Sequence, residues 1–277
     1  SANTTGAANT AFGHKALFAN TTAQYNVAVG QAALETNTTG ANNTAIGRAA
    51  LISNTTASDN TAVGQNALLS NTTGESNVAV GSQSLDANTT GLNNVAIGRQ
   101  ALDNNTTGSR NVAVGTNALD ANTTAGSNTA VGDGSLKANT TATNNTAVGK
   151  DALTANTTGS ENTTLGTASG ANVTTGQDNT IVGYNAANHN VALITGQRNV
   201  LIGAYSDTTA SDAFAANVIG YDVSGAAGYT TLGASGDDIR AAHGNVTWST
   251  VSDERVKKDI TDSEAGLSFI NDLRPVT

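Results

Sequence analysis

Hydrophobic and polar positions alternate in a short motif that returns along the chain at a fixed spacing. The pentapeptide NTAFG at Asn9 is followed by NVAVG at Asn26, and this step of seventeen persists to NTIVG at Asn179. NVLIG at Asn199 follows after a step of twenty, and a reduced NVIG begins at Asn217. This self-similarity predicts a repeat protein in which equivalent residues of successive copies stack on one another.

Two further positions repeat in the same register. NTT recurs from Asn3 to Asn156, and a leucine stands four positions after each motif glycine from Leu17 to Leu153. We expect Asn3 to belong to a coil that begins upstream. A seventeen-residue unit is too short for a helical hairpin, but it has room for two strands of about five residues and two tight turns. The repeat therefore predicts an all-β fold, a parallel β-solenoid with one coil per repeat.

The two sides of the NTAVG strand differ in side-chain size. The two-residue period of a strand places Thr or Val and the following Val or Ile on one side, and Asn, Ala and Gly on the other. Both sides are suited to burial. Parallel strands about 4.8 Å apart would pair their backbones, pack β-branched residues in columns and allow asparagine ladders. NTTG is expected to turn the chain, because Asn and Gly tolerate positive φ and Thr hydroxyls bond locally.

The expected coils enclose very little. They would make a rod about 55 to 60 Å long, with a thin core of Leu and Val in each chain. A second buried face between chains is then the natural source of additional stability.

The composition excludes several classes of protein. Hydrophobic residues make up 38% of the chain, too few for the thick core of an ordinary globular enzyme, and charged residues make up 12%, against a usual share of about 25%. The net charge of −9 argues against nucleic acid as a partner. The chain has no Cys, so it lacks thiolate metal ligands. It also has no apolar run of the length, about 18 residues, that predicts membrane insertion. We expect no metal and no cofactor.

The repeated N-[TV]-A-[VI]-G pattern resembles the head repeats of trimeric autotransporter adhesins over about Ser1 to Gly203. The resemblance implies a left-handed parallel β-roll, assembled as a homotrimer, with the Ala and Gly side of the strand toward the three-fold axis. The repeat is longer here than the usual head repeat of that family, and we expect the extra residues in the NTTG turn.

The composition changes abruptly near the C-terminus. The segment from Ser252 to Thr277 holds ten of the 33 charged side chains of the protein, which predicts a different module. Ser263 can cap a short helix with apolar residues on one side, and Pro275 would end it. We therefore divide the chain into a β-roll shaft at 1–207, an irregular β neck or cap at 208–247 and a C-terminal module at 248–277.

The sequence WSTVSDERVKKDI, which begins at Trp248, resembles the start of the intramolecular chaperone domain of endosialidases and many phage tail fibres and tailspikes. In that family the domain assists trimerisation and, in many members, releases itself by Ser/Lys self-cleavage. Carried over by position, Ser252 matches the nucleophile and Lys257 the base, with the bond between Val251 and Ser252 as the one that is cut. A desolvated lysine can lose its proton and activate a neighbouring hydroxyl.

Other candidate sites receive simpler interpretations. His14, His189 and His243 have no partners at metal-ligand spacing, and we assign them to surfaces or turns. Asp237 and Asp238 are interpreted as a solvated loop rather than a calcium site. Charged residues are too sparse along the coils to supply the carboxylate pair of a glycosidase. We expect no enzyme activity beyond, at most, one self-cleavage at Ser252.

Together these features predict a structural protein, a homotrimeric tail fibre of a bacteriophage virion that takes part in host attachment. Its expected partners are two sister chains, a host surface glycan or protein receptor and other virion tail proteins. The alternative is a trimeric adhesin on a bacterial cell surface. A third hypothesis is an ice-binding solenoid, since the ten NTT copies could align threonines on a flat face.

Overall fold

The protein is a parallel β-solenoid in which each coil contributes one short strand to a single column. A computed structural model describes residues 2–244 and the backbone of 249–250, and these residues contain strands and turns but no helix. Twelve three-residue strands lead the column: β1 (Thr10–Phe12), β2 (Val27–Val29), β3 (Thr44–Ile46), β4 (Thr61–Val63), β5 (Val78–Val80), β6 (Val95–Ile97), β7 (Val112–Val114), β8 (Thr129–Val131), β9 (Thr146–Val148), β10 (Thr163–Leu165), β11 (Thr180–Val182) and β12 (Val200–Ile202).

Six further strands complete the described chain: β13 (Asp207–Thr208), β14 (Asn217–Tyr221), β15 (Ser224–Gly225), β16 (Tyr229–Ala234), β17 (Asp237–Ala242) and β18 (Ser249–Thr250). β14 and β16 extend the parallel column beyond β12, whereas β17 and β18 close it with antiparallel pairing. β13 and β15 form a separate two-stranded parallel sheet. The regular parallel stacking therefore continues through part of the segment 208–247, where a neck or cap was expected.

Successive coils are joined by backbone hydrogen bonds in an unbroken register. Thr10 pairs with Val27, and the same spacing holds from strand to strand as far as β11. The N–H of Val27 donates to the carbonyl of Asn43 in the next coil at 2.8 Å. The N–H of Gly30 donates to the carbonyl of Phe12 in the preceding coil, also at 2.8 Å. Thirteen parallel strands from β1 to β14 make a column about 55 to 60 Å long. The predicted β-solenoid is confirmed.

The strands are shorter and fewer than the sequence predicted. Each regular coil holds one three-residue strand instead of the two longer strands that were expected. The reason is a series of left-handed residues, such as Ala49 at φ 57° and Leu51 at φ 51°, which bend the chain after the strand. Gly47 lies between strand and bend at φ 137°, and a Cβ there would clash with the carbonyl oxygen of Gly64. Only glycine allows the coils to approach so closely.

The core consists of stacked leucines and alanines, with asparagines at its edges. Along strands β2 to β9 the central alanine points inward and is fully buried, as Ala45 and Ala96 illustrate, while the flanking Thr, Val and Ile point outward. At the open end of the column the central Ala11 of β1 is exposed. In the regular coils the core therefore contains Leu and Ala, and the prediction of a core of Leu and Val was wrong there, whereas Val218 of β14 does lie in the core. The implied orientation of the Ala and Gly side toward a three-fold axis was also wrong, because the alanines contact the core of their own chain.

The leucine column ends at the tenth coil, where a compensating change keeps the core filled. Gly170 and Ala187 follow Leu153 in that column, while the central strand position enlarges from alanine to Ile181 and Leu201. A Cβ on Gly170 would lie 3.1 Å from the Cδ1 of Ile181, so the larger strand residue occupies the space that a leucine would need. Thr164 of the same coil also approaches this space, with its Cγ2 3.2 Å from the same Cβ position. Larger strand residues thus stand opposite smaller ones in the former leucine column, an exchange that favours close packing.

Buried asparagines form a first ladder beside the strands, as expected. In the middle of it, Asn94 donates its backbone N–H to Oδ1 of Asn77 (3.0 Å) and its Nδ2 to the carbonyl of Gly108 (2.9 Å). Its own Oδ1 accepts the backbone N–H of Asn111 at 3.0 Å. The ladder comprises Asn9, Asn26, Asn43, Asn60, Asn77, Asn94, Asn111, Asn128, Asn145, Asn162, Asn179 and Asn199.

A second ladder runs through the asparagines of NTT. Asn105 donates Nδ2 to Oδ1 of Asn88 and to the carbonyl of Gly108, both at 3.0 Å. That carbonyl also accepts from Asn94, so one oxygen per coil joins the two ladders. The ladder stops where Val173 follows Asn156, and the Oδ1 of Asn156 is buried without a hydrogen-bond partner, as is the Oδ1 of Asn20 near the other end.

The NTT segment turns the chain by a different mechanism from the one predicted. Its asparagines are not among the residues with positive φ. The first threonine bonds to the next coil rather than locally, as when Thr38 Oγ1 donates to the carbonyl of Thr55 at 3.0 Å. The turn is thus held by contacts between coils together with a local bond of the asparagine, as when Asn37 Nδ2 donates to the carbonyl of Gly40 at 2.9 Å.

The register shifts by one residue at NVIG. β12 and β14 pair Val200 with Asn217, so Asn217 occupies the outward Thr/Val position instead of the ladder. Ala216 takes the ladder position, and its N–H donates to Oδ1 of Asn199 at 2.9 Å.

The predicted helix after Ser263 lies outside the described residues.

Replacing Asn94 by alanine tests the contribution of the ladders to stability. The change leaves the buried N–H of Asn111 without its acceptor and removes an amide that bonds to both neighbouring coils. We expect the free energy of unfolding to fall by about 2–3 kcal/mol, measured by urea denaturation of Asn94→Ala.

The matched control is Asn104→Ala. Asn104 is exposed, and the equivalent positions of neighbouring coils are Ala87 and Ala121. We expect a change below about 0.5 kcal/mol for the control. Equal losses in the two variants would show that the buried ladder has no special role.

Candidate functional site: the surfaces of the solenoid

The residues predicted for self-cleavage, Ser252 and Lys257, lie outside the described residues, as does the bond between Val251 and Ser252. Their roles remain predictions from the sequence.

The single histidines and the paired aspartates have distinct surroundings. His14 is exposed, and His243 Nε2 lies 3.4 Å from both Asn217 Nδ2 and Thr230 Oγ1. Asp237 and Asp238 lie in strand β17 rather than in a loop, opposite Ala234 and Gly233. Among the described residues, no group of three His, Cys, Asp or Glu is arranged to hold a metal ion.

The outward face of the strands carries a continuous apolar surface, which we call the strand ribbon. Ile46 and Ile97 are each 40% exposed, and Leu165 is 49% exposed. The parallel register aligns them with the other residues at the fourth motif position. The column comprises Phe12, Val29, Ile46, Val63, Val80, Ile97, Val114, Val131, Val148, Leu165, Val182, Ile202 and Ile219. Beside it runs the column of outward Thr and Val residues at the second motif position.

Three aspartates stack on another face. Asp86, Asp103 and Asp120 each follow a core leucine and recur at the repeat spacing. Each is half-buried, and Asp86 and Asp103 line a shallow cleft of about 330 Å³. This repeat brings like charges together on adjacent coils.

Burial and mutual repulsion perturb the titration of this aspartate column. Desolvation, followed by the charge of Asp103, raises the pKa of Asp86 from 3.8 to about 6. Desolvation also raises the pKa values of Asp103 and Asp120, although the positive charge of Arg99 opposes the shift at both. Asp86 is therefore the member most readily protonated in mild acid.

Three tyrosines form a cluster near the C-terminal end of the column, which we call the tyrosine ridge. The rings of Tyr184 and Tyr205 meet edge to face with centroids 5.4 Å apart, and those of Tyr205 and Tyr221 meet likewise at 5.8 Å. The imidazole of His189 lies against Tyr205 at 4.6 Å. His189 Nε2 is 4.0 Å from Oδ1 of Asp222. The ridge thus combines aromatic rings with an imidazole and a carboxylate.

A buried carboxylate holds the loop that carries His189. Oδ2 of Asp207 accepts the backbone N–H groups of His189, Asn190 and Val191 at 3.1, 2.6 and 3.0 Å. Asp207 is fully buried, and this desolvation raises its pKa, although the backbone hydrogen bonds lower it in part. The clamp fixes the loop that makes this coil longer than the regular ones.

Sequence reasoning missed both the aspartate column and the tyrosine ridge. The spacing of Asp86, Asp103 and Asp120 was a sufficient signal for the column, because the repeat stacks equivalent positions. The ridge could not be derived from the repeat alone, because Tyr184 and Tyr205 are separated by an irregular interval. Its only signal was the gathering of tyrosines where the repeat is interrupted.

Comparison of the chain with models of protein families, with characterised proteins and with solved structures found no significant match in any of the three. No helix within the described residues is long and apolar enough to cross a membrane.

The aspartate column predicts a pH-dependent gain of stability on removal of one charge. Because the pKa of Asp86 is higher in the folded chain than its usual 3.8, the folded state loses stability as the pH rises from about 4 through about 6. At pH 7, Asp86→Asn should therefore raise the free energy of unfolding by on the order of 1 kcal/mol, a value reduced by solvent screening. The gain should disappear near pH 4, as measured by urea denaturation across this range.

Asp133→Asn serves as the control, because Asp133 is exposed and belongs to another column. We expect no comparable stabilisation at pH 7. A gain in Asp86→Asn that persisted unchanged at pH 4 would contradict the electrostatic explanation.

Proposed function

We propose that this protein is a homotrimeric fibre of a bacteriophage tail and takes part in host attachment. The observation that carries the proposal is the strand ribbon, an apolar surface that follows the column for its full length. A solenoid that leaves such a surface in water needs a partner of the same length and shape. Sister chains meet that requirement.

The dimensions of the strand ribbon support a contact between chains. It is about 55 to 60 Å long and has two columns of side chains roughly 7 Å apart. Contiguous apolar patches on monomers rarely exceed about 300–600 Å². The ribbon is comparable with this limit before neighbouring side chains are counted. Its fourth-position column is apolar in every coil, while the column beside it varies between Thr and Val. Identical chains can bury it around a closed rotation axis.

The resemblance to trimeric adhesin heads supports three as the number of chains. The chaperone-like sequence from Trp248 onward supports the same number, since that domain assists trimerisation in its family. In the proposed trimer the outward Val and Ile residues, rather than the alanines, face the sister chains. The other surfaces remain available for a receptor.

Attachment follows from the rod shape and its repetition. Three chains present each surface feature three times, so weak contacts with a host glycan or protein receptor add up through multivalency. Other tail proteins of the virion would hold the fibre.

The alternative is a bacterial surface adhesin of the same trimeric architecture. Its geometry is identical in the described residues, and the chaperone-like sequence favours the phage fibre. Ice binding has less support. The first threonine of NTT uses its hydroxyl within the chain, as at Thr38 and Thr72. Only the second threonine is exposed, and it lies between the half-buried first threonine and a buried residue, so the exposed threonines form one column rather than a flat face.

The trimer is tested by the solution mass of the full chain and of Ile97→Glu. The unmodified protein should have three times the chain mass of 27.5 kDa in light scattering. Ile97→Glu would place three carboxylates in the proposed interface, where burial of unpaired charge is unfavourable. We expect this variant to dissociate or to lose at least tenfold in association affinity.

Thr107→Glu is the matched control, because Thr107 lies in the same part of the solenoid on the exposed NTT face. It should remain trimeric, and circular dichroism should show that both variants fold. A wild-type protein that is a folded monomer at micromolar concentration would contradict the proposal.

Host attachment is tested by binding of the labelled full chain to cells of the bacterium that the phage infects. Saturable binding is expected, and it should compete with infection by the parent phage. Prior periodate or protease treatment of the cells shows whether the receptor is a glycan or a protein. Absence of binding by intact trimers would contradict an attachment role.

A further inference from the structure

We propose that the tyrosine ridge is a binding surface for a neutral oligosaccharide, with pyranose rings stacked on Tyr184 and Tyr221. This inference rests on the proposed attachment function and names the ligand class and the residues that contact it.

The position of the ridge sets it apart from the rest of the rod. Residues 26–183 contain no Phe, Tyr or Trp. Tyr184 is the first aromatic residue after this interval, and the ridge forms across the irregular coil that follows it. The regular coils therefore present small, aliphatic and polar groups, while the ridge gathers aromatic rings at one level of the solenoid.

The two outer tyrosines of the ridge are half exposed to solvent. The planes of Tyr184 and Tyr205 meet at 88°, and those of Tyr205 and Tyr221 at 86°. In this edge-to-face chain Tyr205 is the central ring, and the outer rings remain 50% exposed at Tyr184 and 55% exposed at Tyr221. Aromatic rings offer a large, rigid contact area at low entropic cost. The C–H face of a pyranose is a flat apolar surface of matching shape.

Hydrogen-bonding groups stand directly beside these rings. The side chains of His189 and Asp222 are 41% and 39% exposed, and both lie within the cluster. A carboxylate accepts hydrogen bonds from two hydroxyls, while an imidazole donates or accepts according to its tautomer. Sugar hydroxyls that leave water need such partners, because an unpaired polar group is costly to bury. Ring faces bordered by polar groups fit a carbohydrate better than the aliphatic surface of a protein.

The charge of the ridge favours a neutral sugar. Asp222 contributes a carboxylate at neutral pH. In the part of the chain that the structure describes, the ring and ion-pair contacts of the ridge involve no lysine or arginine. An acidic sugar would meet like charge there. Hexoses and N-acetylhexosamines are therefore the expected ligands.

The site is also held in place before binding. Asp207 fixes the backbone of the loop that carries His189 through three N–H donors. Such preorganisation reduces the entropy lost when a ligand orders the side chains that it contacts.

The test uses the full chain on a printed array of bacterial oligosaccharides that contains neutral and acidic members. Binding to neutral pyranose oligosaccharides is expected. Tyr184→Ala and Tyr221→Ala should each weaken it by about tenfold, in line with the loss of one stacking contact. Tyr221→Phe should retain most of the binding, since it keeps the ring face. Saturation-transfer NMR, with irradiation of tyrosine protons, should show transfer to the C–H protons of the bound sugar.

The matched control is Tyr25→Ala, which removes an exposed tyrosine near the opposite end of the column. It should bind like the unmodified protein. Equal loss in Tyr25→Ala and Tyr221→Ala would overturn the assignment of the ridge, as would preferential binding of acidic oligosaccharides. Dissociation of the trimer in Tyr184→Ala would also overturn it, because the ridge would then be a subunit contact.

The proposed function can fail separately. Trimers that bind host cells but no oligosaccharide on the array, and whose cell binding survives Tyr221→Ala, would leave attachment intact and refute the ridge. Trimers that bind neutral oligosaccharides through the ridge but no host cell would instead refute the attachment role.

Discussion

The structure depends on hydrogen bonding between coils, because a coil as short as one repeat cannot satisfy its buried polar groups alone. Asparagine meets this need, since its amide both donates and accepts and can therefore repeat in a column. The first ladder accepts a backbone N–H in every coil, and the second shares a carbonyl with it. Where Val173 interrupts the second ladder, the oxygen of Asn156 is left unpaired.

This arrangement of the interior determines the character of the surface. Close contact of the coils requires glycine at the strand end, and alanine at the centre of β2 to β9 leaves room for the core leucines, so the alternating branched residues point outward. The core gains compactness, while the strand ribbon is left as an apolar surface. Stabilisation between chains, which we propose, would compensate for a core that is thin within each chain.

The sequence was sufficient to predict the stacked coils, their parallel register and the ladders, because a fixed step aligns equivalent residues. It could not identify which side of NTAVG faces inward, since both sides are compatible with burial. Strand length was overestimated because the left-handed conformation of residues such as Leu51 has no signal in the residue type. The tyrosine ridge was missed because it combines Tyr184, Tyr205 and His189 across an irregular coil.

The change of core at Gly170 divides the rod into two parts with different tolerance of rearrangement. Coils with leucine against alanine are nearly interchangeable, so duplication or deletion of one complete repeat preserves the core packing and the asparagine ladders at the new junction. Coils that contain Ile181 or Leu201 lack this freedom, because each fits a particular neighbour. Recombination between repeats can therefore adjust the length of the shaft while the end that bears the aromatic residues is inherited as a unit.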